Sequence, residues 1–354
     1  MFSGCTSLTQ APDLTAKILG EQCYGYMFYK CSALQQGPSV ITEIAAKESC
    51  YYMFSGCNRL KRVPKVVATT MGERCCYSMF NQCTALTEIP ELLTETLASS
   101  CYSMMFYYCS SLTDLSESIL PATTLADYCY EWMFRECRYL KKPPKLLATT
   151  LDVGCYYKMF DGCIRLTEAP ELPAMNLANS CYSGMFYGCT ALTQAPVLPA
   201  TTLADGCYGH MFKDCTSLTT APVLPATTLA YSCYTWMFNG CSSLTKAPEL
   251  PATNLDRYCY NNMFSSCTAL TTAPELPATN LPDYCYYCMF SNCANITTIK
   301  VHFTAFTSDY ATNSWTSKVS STGTFYCPSV LGTNDTISRG KNACPDGWTV
   351  INID

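Results

Sequence analysis

The amino-acid sequence predicts an α/β solenoid of about twelve short repeats, followed by a β-rich segment at the C-terminal end. The first observation is that the dipeptide Met-Phe recurs twelve times from Met1 to Met289, at intervals of 26 residues with a single interval of 28. The second is that each copy keeps the same apolar residue types at the same places, and the third is that this pattern fades after Cys293. A fixed period of this length is typical of repeats that bury their apolar side chains against neighbouring repeats.

Each repeat begins with a segment that we expect to form a short helix or helical turn. In the copy that starts at Leu203, the apolar residues Cys207, Met211 and Cys215 follow at steps of four. At about 100° per residue, these positions drift slowly around a helix and make one apolar stripe. In several copies a glycine three residues after Met, such as Gly188, suits a left-handed end to such a helix.

The second segment of each repeat, Leu-Thr-x-Ala-Pro, is predicted to be a very short strand. In Leu192 to Pro196, for example, Thr is β-branched, and Pro removes an amide donor and ends the strand. The Leu-Pro-Ala-Thr-Thr that follows should be an extended return arm. We therefore assign residues 1–299 to the solenoid, whose first repeat is incomplete, and residues 300–354 to a β-rich cap. Solenoids need such caps to cover an apolar end.

Composition argues against several classes of function. The 354-residue chain carries a net charge of -5, so it lacks the basic surface that nucleic-acid binding needs. It has two histidines, scattered carboxylates and no glycine-rich phosphate loop, which gives no basis for a catalytic, cofactor or metal site. No apolar run approaches the roughly 20 residues of a membrane span. The sequence therefore predicts a binding protein without enzymatic activity, nucleic-acid partner or membrane span.

The 27 cysteines fall mainly four residues before or after Met, so neighbouring repeats should stack them in columns of equivalent positions. We favour buried thiols that act as small apolar side chains, with disulfides between repeats or a bound metal as alternatives. In one repeat Ser49 stands at a position where other copies have cysteine. Cys50 and Cys76 both stand at the next position, where other copies have tyrosine, so their sulfurs should lie close together. Outside the repeats, Cys327 and Cys344 could form a disulfide.

Positions that differ from copy to copy are the candidates for ligand recognition, because the constant positions build the scaffold. Near Met-Phe they hold aromatic side chains, which give large contact areas at low entropic cost and suit stacking on sugar rings. Before Ala-Pro they hold polar and charged side chains. The candidate ligand-binding residues are Tyr26, Tyr29, Tyr107, Tyr108, Trp132, Tyr187, His210, Trp236, Arg62, Lys142 and Lys246. The alternatives are partial burial between repeats for the aromatic set and a solvated sheet face for the charged set.

The motif Phe-x-Gly-Cys-Thr-Ser-Leu-Thr resembles the BspA-type leucine-rich repeat family of bacterial surface proteins. It stands at Phe2 to Thr9, with close variants at Phe186 to Thr193 and Phe238 to Thr245, and the resemblance covers residues 1 to about 299. It implies a leucine-rich-repeat-like fold, an extracellular or bacterial cell-surface location, and adhesion to a host or matrix protein or glycan. Similar arrays also resemble proteins of gut-bacterial phages, so the alternative is a virion or tail-associated structural or receptor-binding protein. The incomplete first repeat would expose an apolar end, which is typical of a contact surface. The alternatives are a fragment of a longer chain, a true start that associates with another copy, and a frayed end.

Overall fold

The computed structural model describes residues 1–41, 44–66, 68, 70–306 and 310–354. These residues form two compact units, Met1–Ala174 and Met175–Asp354. In both units, a repeat consists of a turn ribbon, by which we mean a row of consecutive β-turns around Met-Phe, and an extended arm that leads to the next repeat. Within the described residues, the only helical element is a 3-10 turn, Ser329–Leu331.

The hydrogen bonds of the turn ribbon explain why no α-helix forms. The amide of Met211 donates to the carbonyl oxygen of Tyr208, three residues earlier, at 3.2 Å. The next amide, that of Phe212, instead donates to the carbonyl oxygen of Met237 in the following repeat, at 2.9 Å. An α-helix needs every amide to bond four residues back within the same segment. The prediction of a short helix is therefore wrong. Along the ribbon, one amide closes a β-turn within its own repeat, and the next amide donates to a carbonyl of the neighbouring repeat.

Every fourth residue of a turn ribbon adopts a left-handed backbone conformation. Around Met211, the φ angles of Gly206, His210 and Asp214 are 60°, 58° and 59°. This conformation favours glycine, but most copies place another residue there. The position three residues after Met has a positive φ in all twelve copies, so Gly188 is one instance of a shared geometry and does not end a helix.

The core of each repeat consists of the side chains that the four-residue turns direct inward. They are at most 1 % exposed, and in one repeat of the second unit they are Cys207, Tyr208, Met211, Phe212, Cys215 and Leu218. Equivalent rings stack between repeats, and the centroids of Phe212 and Phe238 lie 5.7 Å apart with planes 6° from parallel. The four-residue step of the turns thus accounts for the spacing of Cys, Met and Cys in the sequence.

All 27 cysteines are free thiols, and 24 of them are buried. The thiol four residues after Met donates to a backbone carbonyl of the preceding repeat: Cys215 Sγ lies 3.1 Å from the oxygen of Phe186. Cysteine therefore supplies both a small apolar side chain and a hydrogen-bond donor at this place. Free thiols also occupy the positions of Cys327 and Cys344, for which a disulfide was an alternative.

The predicted neighbour relation of Cys50 and Cys76 is confirmed. The two thiols are hydrogen bonded, and Cys76 also lies 3.9 Å from Cys75, sulfur to sulfur. These two thiol contacts, together with burial, raise the pKa of Cys76 well above its ordinary value. The alignment that places Ser49 in the cysteine column is therefore correct.

In the first unit, all strand pairs are parallel and each strand has two residues. The sheets have the orders β1-β3-β5, β2-β4 and β6-β7. The strands are β1 (Ile18–Leu19), β2 (Val40–Ile41), β3 (Ile44–Ala45), β4 (Lys65–Val66), β5 (Thr70–Met71), β6 (Ile119–Leu120) and β7 (Lys145–Leu146). The predicted strand at Leu-Thr-x-Ala-Pro is reduced to single bridges such as Gln36 with Arg62, and the extended arm carries the longer pairs.

In the second unit, the repeats are joined by single parallel bridges, such as Thr220 with Lys246. The C-terminal part holds one parallel sheet of order β10-β9-β8. Its strands are β8 (Thr298–Lys300), β9 (Thr324–Cys327) and β10 (Thr349–Asn352). A further turn ribbon precedes β9, and the indole of its Trp315 donates to the carbonyl oxygen of Ala343 at 3.0 Å.

Candidate functional site

The outward positions of the turn ribbons carry the aromatic candidate residues. Two residues of each four-residue turn face inward, and the residues beside Met-Phe differ between copies: Tyr26 and Trp132 are exposed or half-buried, whereas Ser78 and Asn239 are buried. Tyr26, for example, is 43 % exposed, whereas the ring of the adjacent Phe28 is fully buried. The aromatic candidates at these variable positions are therefore partly accessible, while the constant side chains of the core are enclosed.

Five tyrosines of the first unit form a contiguous group, which we call the Tyr26 cluster: Tyr26, Tyr29, Tyr51, Tyr52 and Tyr77. The rings of Tyr26 and Tyr52 stack at 5.3 Å with planes 1° apart, and Tyr29 meets Tyr26 edge-on at 5.3 Å. Burial and a hydrogen bond with Tyr51 raise the pKa of Tyr26 to about 12. Tyr26 and Tyr52 each cover one face of the other ring, so these two faces are closed to a ligand.

A second group in the first unit, the Trp132 cluster, combines Tyr107, Tyr108 and Trp132 with Arg135. The Arg135 guanidinium lies 5.2 Å from the Trp132 ring centroid and 5.8 Å from that of Tyr107. Its Nε also lies 2.9 Å from a carboxylate oxygen of Asp161. Burial raises the pKa of Asp161, and the neighbouring Arg135 opposes that shift. The cation of this cluster is thus paired with a carboxylate.

The third group, in the second unit, is the Trp236 cluster: Tyr187, His210, Lys213 and Trp236. The His210 and Trp236 rings stack at 5.9 Å with planes 9° apart. Lys213 Nζ lies 4.6 Å from the Trp236 ring centroid and 5.2 Å from that of Tyr187. All eight aromatic candidates therefore belong to one of three clusters. Each cluster has a cation over at least one ring, which in the Tyr26 cluster is Lys30, 5.0 Å from the Tyr29 ring centroid. Such a cation–aromatic contact is worth about 0.5–1 kcal/mol at an exposed site.

The structure does not bring the charged candidates together with the aromatic ones. Arg62, Lys142 and Lys246 lie outside the turn ribbons, in the bridge positions before Ala-Pro. Lys142 pairs with Asp114 at 4.0 Å, a weak exposed contact. Lys246 lines a shallow groove of about 800 Å³ between two proline-rich arms.

The sequence reasoning missed a second tyrosine ladder in the second unit. Tyr258 and Tyr284 stack at 4.6 Å with planes 4° apart, and Tyr310 follows at 5.1 Å. Arg257 lies 6.0 Å from the Tyr258 ring centroid and pairs with Asp283. The available signal was the repetition of tyrosine at exact 26-residue intervals in a position where other copies differ.

The described residues contain no group of three or more His, Cys, Asp or Glu arranged to hold a metal ion. The buried thiols make poor nucleophiles, since burial raises the pKa of Cys137, for example, to about 12. The chemistry that the three clusters offer is contact: aromatic edges, phenol hydroxyl groups and cations on a backbone fixed by hydrogen bonds between repeats.

Comparison with known proteins agrees with this geometry. A family model for the BspA type leucine-rich repeat region matches residues 21–157, 51–193 and 179–317, with six copies. A crystal structure of a leucine-rich repeat protein from Bacteroides ovatus is similar in fold, with a TM-score of 0.55 and 19 % identity over 99 % of this chain and 85 % of that one. No curated protein sequence matches the chain.

The fold and the family model define a leucine-rich repeat protein. The chain belongs to the BspA-type leucine-rich repeat family, as the motif around Met-Phe indicated. Members of this family are generally adhesion-type repeat proteins that are surface-associated or secreted. In the described part of the chain, no helix has the length and apolar character required to cross a bilayer.

Proposed function

We propose that the protein is a non-enzymatic adhesion protein, secreted or displayed on a bacterial surface, which binds a host or matrix protein or glycan through the aromatic clusters of its turn ribbons. The family supports this assignment, because its members are typically surface-associated binding proteins. The geometry supports it independently, because tyrosine and tryptophan are enriched among the residues that dominate binding energies.

One observation carries the proposal: the partly exposed aromatic side chains at positions that differ between copies form clusters, each with a cation over at least one ring. An aromatic side chain that only filled space between repeats would need neither a cation over its ring nor a ring edge exposed to solvent. Tyr108, with 36 % of its surface exposed, also has Arg138 over its ring at 5.8 Å. Rings that are held in place by neighbours lose little entropy on binding, which favours affinity.

The test is a screen of purified protein against arrays of host extracellular proteins and glycans, followed by variants of each cluster. We expect binding to fall at least about tenfold in one of three variants, Tyr26→Ala/Tyr52→Ala, Tyr107→Ala/Tyr108→Ala or Trp236→Ala. The matched control is Val197→Ala/Val223→Ala, since both valines are 78 % exposed and lie outside the clusters. Binding that persists in all three cluster variants, or that is lost in the valine control, would contradict the proposal.

A further inference from the structure

The Trp236 cluster contains a cation that no carboxylate neutralises. Lys213 Nζ lies over two rings, those of Trp236 and Tyr187. Among the residues that the structure describes, no Asp or Glu forms an ion pair with Lys213. The equivalent cation of the Trp132 cluster, Arg135, does have such a partner in Asp161.

The difference between the two clusters arises at one position. Asp161 stands 26 residues after Arg135, in the same column of the next repeat. The corresponding residue after Lys213 is Asn239, which is buried and donates from its amide nitrogen to the carbonyl oxygen of Ser265 at 3.1 Å. A neutral side chain therefore occupies the place of the carboxylate that pairs with Arg135 in the Trp132 cluster.

The residues around Lys213 limit the kind of anion that fits. Asp214 lies against the neighbouring repeat, where a Cβ atom added at Gly240 would collide with its Oδ1 atom. The ammonium group of Lys213 and the imidazole of His210 border the aromatic rings. Asp214, the next residue along the chain, adds a carboxylate to this turn, which disfavours a ligand with several negative charges.

We propose that the Trp236 cluster binds a sugar that carries one carboxylate group, as sialic acids and uronic acids do. The sugar carboxylate contacts Lys213, and its carbon–hydrogen surface packs against the edges of Trp236 and Tyr187. This inference rests on the proposed adhesion function and names the class of glycan that one cluster recognises.

The test is titration calorimetry of the full chain with sialyllactose, with an oligosaccharide ending in glucuronic acid, and with neutral lactose. We expect at least one acidic sugar to bind about tenfold tighter than lactose, because a hydrogen bond to a charged group contributes that much. Which acidic sugar binds identifies the source of the carboxylate. Lys213→Gln should abolish the preference, and Lys145→Gln, which removes an exposed lysine of β7 outside the turn ribbons, should keep it.

A sharper variant is Asn239→Asp, which leaves every ring and Lys213 in place but supplies the carboxylate that Asp161 provides to Arg135. It should also abolish the preference for acidic sugars. Equal affinity for acidic and neutral sugars, or a preference that survives Lys213→Gln, would overturn the inference. If no sugar binds but a ligand from the arrays depends on the Tyr26 or Trp132 cluster, this inference is wrong and the proposed adhesion function stands.

Discussion

The residues with a left-handed backbone in the turn ribbon allow a test that distinguishes the turn ribbon from a helix. The two structures predict opposite orders of stability for glycine and alanine variants at these residues. Ser180, Ser232 and Ser266 have φ angles of 54°, 52° and 64°. We compare a variant with glycine at all three positions with a variant with alanine at all three. Both variants lose the same hydroxyl groups, so their difference reports the backbone alone.

The expected magnitude follows from the backbone conformation. A left-handed conformation costs a residue with a Cβ atom about 1–2 kcal/mol, and glycine loses about 0.5–1 kcal/mol more entropy on folding. Glycine should therefore exceed alanine by about 0.5–1 kcal/mol per site, or roughly 2 kcal/mol for three sites. In a helix, alanine would instead exceed glycine by about 1 kcal/mol per site.

The assay is thermal unfolding followed by circular dichroism, in which the glycine variant should melt about 3–5 °C above the alanine variant. The matched control places the same substitutions at Ser183, Ser265 and Ser291, whose φ angles are not positive and whose amides close turns. There alanine should be the more stable. If the variant with alanine at Ser180, Ser232 and Ser266 is more stable than the variant with glycine there, the turn ribbon is refuted.

Two further predictions concern the core. Leu218→Ala, at a fully buried position, should lower the free energy of unfolding by about 2–5 kcal/mol in urea denaturation. Val223→Ala, at an exposed position, should change it little. Equal effects of the two substitutions would contradict the burial of Leu218 in the core. Burial raises the pKa of Cys137 and of Cys233 to about 12. Because the folded state keeps these protons longer than the unfolded chain, each thiol should lower stability by about 1.4 kcal/mol per pH unit from about pH 9 towards 12. Thiolate absorbance should therefore rise only as structure is lost, and thiolate formation in the intact fold would contradict this.

The inside and the outside of each repeat could be predicted from the sequence, but the backbone between them could not. A four-residue spacing of Cys207, Met211 and Cys215 fits both a helical stripe and a four-residue turn, because a helix drifts only slowly at that step. The difference lies in the partners of alternate amides, which belong to another repeat. Side-chain burial follows from apolar character in either case, so the core columns were correct despite the wrong helix.

The candidate aromatic residues could also be predicted from the sequence, but the contacts between their rings could not. Variation between copies identified Tyr26 and Trp236 as outward residues. It did not show that the face of Tyr26 is covered by Tyr52, because that depends on the ring orientation in two repeats. Stacking of a sugar on a free ring face was therefore a weaker expectation for such pairs than contact with ring edges and hydroxyl groups.

The repeat architecture requires that the constant side chains of the turn ribbons are enclosed, and alkylation of native thiols tests this most directly. The structure leaves Cys5 and Cys23 exposed and Cys288 half-buried, and it buries the other 24 cysteines. Brief treatment of the reduced, folded protein with iodoacetamide, followed by peptide mass spectrometry, should modify those three and protect the rest until denaturant is added. Modification at similar rates throughout the cysteine columns would contradict the account.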